Sequence, residues 1–179
     1  RELTVKEIHN IEEKYAQAAF RAKKAGFDGV EIHNTGYYLG QQFLSSVANV
    51  RTDEYGGSLD NRLRFLREIT VKCKERLGND FPIFIRISTD EYIEGGRTID
   101  ETVEIAKEIE KMGIAAIDLS CCVPSTYIFS IAPNTLPGMK GLQAENAKKI
   151  KEAVNIPIMI AGGIRDPYMA EKMLEDGVA

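Results

Sequence analysis

Several things are scarce in this 179-residue chain, and each shortage narrows what it can do. It has three cysteines, Cys73, Cys121 and Cys122, an odd number with two of them adjacent. That is a poor disulfide framework, and it points to a reducing cytoplasm. Their spacing fits no iron–sulfur cluster either, so no metal site is assigned to them. Basic charge is not in excess: 23 Lys and Arg stand against 27 Asp and Glu, a formal net charge of −4. A nucleic-acid partner, which needs a basic footprint, is disfavoured. No apolar run approaches the ~20 residues of a membrane span, and no stretch reads as a signal peptide. No linker or low-complexity segment interrupts the chain. What remains is the composition of one ordinary domain, 44% apolar and 28% charged, long enough to bury a sizeable core.

The positive signal is periodicity. Thr4 and Glu7 form a capping-box pattern, followed at helical spacing by Ile8, Ile11, Tyr15, Ala18, Ala19 and Ala22, with Gly26 as the stop. Gly29-Val30-Glu31-Ile32 then reads as a strand. The unit recurs, with Thr98 and Glu101 as a second box, a helix to Met112, Gly113 as the stop and Ala116–Leu119 as a strand. Between them lie a helix around 60–77 and a strand over Pro82–Ile87. After them come a helix around 144–154, a strand at 156–161 and a helix around 167–175. Short apolar strands separated by helices predict α/β architecture with parallel strands, in a barrel or a doubly wound sheet. The chain opens at Arg1 and closes on Asp176-Gly177-Val178-Ala179, which reads as a helix stop and the start of another strand. A piece of a longer protein is expected.

Polar and reactive residues gather directly after the strands: His33, then Ser88-Thr89-Asp90, then Ser120-Cys121-Cys122, then Gly162-Gly163. In α/β barrels the site lies at that C-terminal edge, so one shared site is expected there. The longest irregular piece runs from Cys121 to Gly141 and holds Pro124, Pro133, Pro137 and Gly138. Loops of that length in compact domains are usually functional or mobile.

Three blocks carry a family resemblance: Gly26-Phe27-Asp28-Gly29-Val30-Glu31-Ile32-His33; Gln42-Phe43-Leu44-Ser45; and Arg51-Thr52-Asp53-Glu54-Tyr55-Gly56-Gly57-Ser58-Leu59 with Asn61-Arg62 and Arg64-Phe65. Together they resemble the old yellow enzymes, FMN-dependent ene-reductases built on a TIM barrel. Glu94-Gly95-Gly96-Arg97-Thr98 further resembles the 2-enoate and 2,4-dienoyl-CoA reductase branch. The resemblance implies that residues 1–179 form part of an FMN-binding TIM (β/α)8 barrel, covering roughly strands four to seven. It implies FMN as cofactor and NAD(P)H as reductant, with hydride passed to the C=C of an α,β-unsaturated carbonyl, enoate or enoyl thioester. Any 4Fe-4S cluster or FAD would belong to segments that longer members carry beyond these residues.

Within that frame each candidate has a structural and a functional reading. His33, after a buried strand, is either a hydrogen-bonded strand-end histidine or a donor to the substrate oxygen on which charge develops. A fixed donor of that kind is worth roughly 10²–10³ in rate. Tyr38, five residues on, matches the family's proton-donor tyrosine, and a phenol with pKa near ~10 stays protonated at neutral pH. Tyr37 replaces a family glycine and reads as steric or substrate-facing. Gly36 stands where many members carry a second His or Asn, so the usual two-pronged clamp is halved; Asn34 is two residues out of place to substitute. Arg86 interrupts an apolar strand, where an unpaired charge is costly. It is either in a buried ion pair or, as the resemblance implies, at the flavin N1–C2=O edge. Gly162 and Gly163 either permit a tight turn or bring backbone N–H groups to the FMN phosphate, as the resemblance implies. Arg51, Asp53 and Arg62 read as a salt-bridged loop scaffold.

The partner expected is therefore a small-molecule substrate, with no nucleic acid and no membrane. Open sheet edges would invite self-association into a homo-oligomer. Two rival readings stand beside the enzyme: a half-barrel that binds no flavin, and another phosphate-binding TIM barrel, which would leave RTDEYGGS unexplained.

Overall fold

The structure is a computed structural model that describes residues 1–120 and 141–179. The irregular stretch from Cys121 onward, with the vicinal cysteines and its prolines, lies outside the described residues. Helix α1 (Val5–Lys24) leads to β1 (Val30–Asn34), short α2 (Leu39–Leu44) and α3 (Leu59–Leu77). Then come β2 (Ile83–Ser88), α4 (Ile99–Lys111), β3 (Ala116–Ser120), α5 (Ala144–Ala153), β4 (Ile158–Ile160) and α6 (Pro167–Glu175).

The start of α1 follows its sequence signal. Thr4 Oγ1 accepts from the Glu7 amide at 3.3 Å, and Glu7 Oε2 accepts from the Thr4 amide at 2.8 Å. This satisfies two amides that the first turn would leave unpaired. The second expected box closes only halfway. Thr98 accepts from the Glu101 amide at 3.4 Å, but the Glu101 carboxylate turns to Arg62 on α3. Strand β4 is shorter than expected because Pro157, with no N–H, cannot extend the ladder as a donor; its carbonyl accepts from Ile117 at 3.0 Å. Periodicity assigns no element to Leu39–Leu44, where α2 forms.

The strands form one parallel four-stranded sheet in the order β1-β2-β3-β4. Sequential order with no reversal is the pattern of a β/α barrel; a doubly wound sheet has a switch point. Alternation then separates the two faces. Ile32, Ile85, Ile117 and Ile158 share one face and are buried, within a core that also holds Ile8, Leu63, Phe65, Leu66, Ile105 and Ile150 of the helices. Glu31, His33, Phe84, Arg86, Asp118 and Met159 share the other. All four titratable residues of the strands lie on this second face, which corresponds to a barrel interior. Among the described residues, no helix is long and apolar enough to cross a membrane.

Candidate active site

The register places the site residues in a row. His33 of β1 stands opposite Arg86 of β2, and Arg86 stands opposite Asp118 of β3. Arg86 Nη1 lies 3.3 Å from Asp118 Oδ2. Arg86 Nε is buried and has no hydrogen-bond partner among the described residues. Burial raises the Asp118 carboxyl above its ordinary range, while the charges of Arg86 and His33 pull it back. Burial also raises Glu31, helped by Asp118 and opposed by Arg86 and His33. The inner face therefore carries one coupled group of two acids, a guanidinium and an imidazole.

Beyond β1 the chain turns sharply. Gly36 has φ +66° and Tyr37 φ +61°, both left-handed. The turn is clamped through its backbone: the Tyr37 N–H donates to Gln41 Oε1 at 3.1 Å, and the Tyr37 carbonyl accepts from Gln42 Nε2 at 2.7 Å. Gln41 is fully buried and also accepts from Ser88 Oγ at 3.1 Å; Ser88 Oγ in turn lies 2.6 Å from Thr35 Oγ1. The result sets the Tyr38 ring beside the His33 ring, with centroids 5.5 Å apart. Tyr38 is 66% exposed, and its phenol is open to a reactant.

Gly36 has a specific part in this. A Cβ at that position would lie 3.0–3.1 Å from the edge of the Tyr38 ring and 3.7 Å from His33 Nε2. The Tyr38 ring thus occupies the space beside His33 that a side chain at position 36 would need. Asn34 does not take over as a second donor. It is buried on the helix-covered face, and its Oδ1 lies 1.8 Å from where a Gly40 Cβ would stand.

Gly162 and Gly163 follow β4 at the same C-terminal edge, with φ +112° and +69°. Side chains are unfavourable at both positions; Gly162 is partly exposed, whereas Gly163 is buried. The Arg86 guanidinium, with a buried N–H that has no partner among the described residues, is a donor that fits the electron-rich edge of a flavin, and the glycine turn after β4 can come close to a phosphate.

Other polar residues at the strand ends hold loops. Asp90 accepts from the amides of Tyr92 at 2.6 Å and Ile99 at 2.9 Å, and Thr89 bonds to Gln143. Arg51 pairs with Asp53 through Nε at 2.9 Å and also donates to the Leu3 carbonyl at 2.7 Å. Arg62, 5% exposed, binds the Leu44 carbonyl, the Gly57 carbonyl and Glu101. These residues of the RTDEYGGS and NR segments are a scaffold that fastens the loop behind α2. Elsewhere His9, Glu12 and Glu68 bring three ligand-type atoms within 4.8 Å of one another. The Tyr55 hydroxyl already donates to Glu68 at 2.7 Å and lies 3.0 Å from His9 Nε2, and Lys72 holds Glu12 at 2.9 Å. The trio pins α1 to α3.

Two kinds of site residue escaped sequence reading. Asp118 was visible only as an acid in an apolar strand, the same signal that marked Arg86. Gln41 was invisible, because nothing local says that a glutamine beside a glycine is buried.

Comparison with known proteins bears on the family and the fold. The family model described as NADH:flavin oxidoreductase / NADH oxidase matches residues 1–179. The chain is 42% identical over 179 residues to an NADH oxidase of Thermoanaerobacter brockii, covering 100% of this chain and 27% of that protein. It is 38% identical over 193 residues to a cinnamate reductase of Clostridium sporogenes, covering 99% and 29%. A solved 2-naphthoyl-CoA reductase, in complex with 2-naphthoyl-CoA, superposes with a TM-score of 0.90 at 33% identity, covering 99% of this chain and 27% of that one. The chain spans between 26% and 50% of the length of the curated relatives it matches. Its four-stranded sheet is accordingly part of a TIM barrel.

Proposed function

The chain belongs to the NADH:flavin oxidoreductase / NADH oxidase family, and from that premise we propose that it is the catalytic half-barrel of an FMN-dependent ene-reductase. The substrate class is an α,β-unsaturated acid or its thioester, as the 2-enoate and 2,4-dienoyl-CoA reductase branch would take. The observation that carries this is the pairing of His33 and Tyr38, rings 5.5 Å apart, on the edge that also bears Arg86. The names of two similar proteins, a cinnamate reductase and a 2-naphthoyl-CoA reductase, support the substrate class.

FMN, when bound, supplies hydride exchange between NAD(P)H and the activated C=C. The residues of this chain do the rest. Arg86 would offer its charge and its Nε–H, which has no partner among the described residues, to the flavin's electron-rich edge. The Gly162-Gly163 turn would let the backbone come close to the phosphate. His33 donates to the substrate's carbonyl oxygen, where negative charge grows during reduction. Tyr38, exposed and beside His33, holds the proton that the α-carbon takes up. With Gly36 in place of a second donor, the oxygen is bound by one side chain, and the Tyr38 ring forms the wall opposite.

The test uses the full-length protein. It is expected to purify with FMN and to oxidise NAD(P)H in the presence of an enoate or enoyl thioester. His33→Ala should lower that rate roughly 10²–10³-fold, with flavin content unchanged. Colourless protein, or no NAD(P)H oxidation with any enone, enoate or enoyl thioester, would rule the reading out.

A further inference from the structure

Arg86 has one charged neighbour within ion-pair distance among the described residues, and it comes from the adjacent strand at the same level. Asp118 Oδ2 meets Nη1 at 3.3 Å, while Nε stays buried and uncommitted. A guanidinium is a planar fork, so fixing one terminal nitrogen restricts the plane in which the Nε–H can point. Both side chains stand on a sheet, where the parallel register opposes Arg86 to Asp118 directly. Asp118 is also the more enclosed of the two, its side chain 14% exposed against 34% for Arg86. The acid is thus the rigid member and the arginine the member that is held.

We propose that Asp118 is a positioning residue for the flavin site: it anchors Arg86 so that the Nε edge is presented, and its negative charge limits how strongly Arg86 favours the reduced, anionic flavin. This rests on the flavin reading of the site. An isolated guanidinium would swing between rotamers and would place an undiluted positive charge at that edge. The pair instead delivers a fixed donor with a partly offset charge. Asp118 need not touch substrate or flavin to act.

The experiment is the flavin midpoint potential of the full-length holoprotein. Asp118→Asn keeps the shape and removes the charge, so the ratio of reduced-state to oxidised-state affinity should rise about tenfold, which is ~30 mV upward for a two-electron couple. Asp118→Glu restores the charge and should return the potential towards the wild-type value. In an Arg86→Lys background the Asn substitution should shift the potential by less, because the held fork is gone. A residue that merely stabilised the fold would change flavin content or melting and leave the potential of the loaded fraction alone. Flavin-bound wild type with an unmoved potential in Asp118→Asn, or equal shifts in both arginine and lysine backgrounds, would overturn this inference alone. Wild-type protein without flavin would overturn the flavin reading and this inference together.

Discussion

Gly36→Ala perturbs the proposed catalytic turn where backbone conformation and the His33 and Tyr38 rings meet. Its φ of +66° belongs to the left-handed region, where an L residue pays roughly 1–2 kcal/mol. Part of that is offset because alanine restricts the unfolded chain by about 0.4–1 kcal/mol, leaving a net loss near 1 kcal/mol. The new Cβ would stand 3.0–3.1 Å from the Tyr38 ring, inside the ordinary carbon contact of about 3.5 Å. Tyr38 is 66% exposed, so the ring can relieve this by swinging outward into solvent. The contact therefore adds little to the loss of about 1 kcal/mol from the backbone, and the larger cost falls on proton delivery. General acid catalysis is worth roughly 10²–10⁴-fold, and a displaced rather than deleted phenol should lose at least about tenfold. Stopped-flow on the full-length flavoprotein separates the steps. Flavin reduction by NAD(P)H should be unchanged, while reoxidation by an enoate should slow. In a Tyr38→Phe background the same alanine should have almost no further effect, since its target is already gone. Wild-type reoxidation in Gly36→Ala, or an equal slowing in both backgrounds, would refute the reasoning.

Two further outcomes concern the scaffold. Gly40→Ala would set a Cβ 1.8 Å from buried Asn34 Oδ1 and should destabilise by about 1–3 kcal/mol; Asn34→Ala in the same chain should recover part of it, read from urea midpoints. Glu7 is held down to about 2, first by its hydrogen bond with Arg1 and then by Thr4. A depressed carboxyl contributes stability above its ordinary value of 4.5 and loses it as pH falls towards about 2. Urea midpoints should fall across that window, and Glu7→Gln should flatten this part of the slope.

Much of the architecture was legible because strand and helix periods differ and because capping residues are local. Thr4, Gly26, Thr98, Gly113 and Pro167 each mark an element boundary through chemistry within four residues. The departures come from chemistry that is not local. Glu101 leaves its own cap for Arg62, 39 residues earlier in the chain. Helix α2 is six residues long and its N-cap, Tyr38, makes no side-chain cap, so no local signal marks it. Ser88, Thr89 and Asp90 have the look of reactive groups after a strand, yet their partners are Gln41, Gln143 and the amides of Tyr92 and Ile99. A polar residue's type says that it needs a partner, and only the fold says whether that partner is protein or ligand.

That distinction also bears on why the proposed chemistry falls on the inner sheet face. On the outer face the helices supply apolar contacts to Ile32, Ile85, Ile117 and Ile158, and the polar exception is Asn34, whose Nδ2 is buried without a partner among the described residues. On the inner face each titratable side chain must find its balance from a cross-strand neighbour or from a ligand. His33, Arg86 and Asp118 stand in one row because a parallel register carries position directly from strand to strand. Within that row Asp118 and one end of Arg86 satisfy each other, and the remaining Nε–H has nothing among the described residues. His33 faces the Tyr38 ring, which fills the space that a side chain at Gly36 would need. The unmet donor and the open phenol lie on the same edge, one suited to an anionic ring and the other to a carbon that needs a proton. A structural ion pair alone would account for Asp118 and leave both of those unexplained.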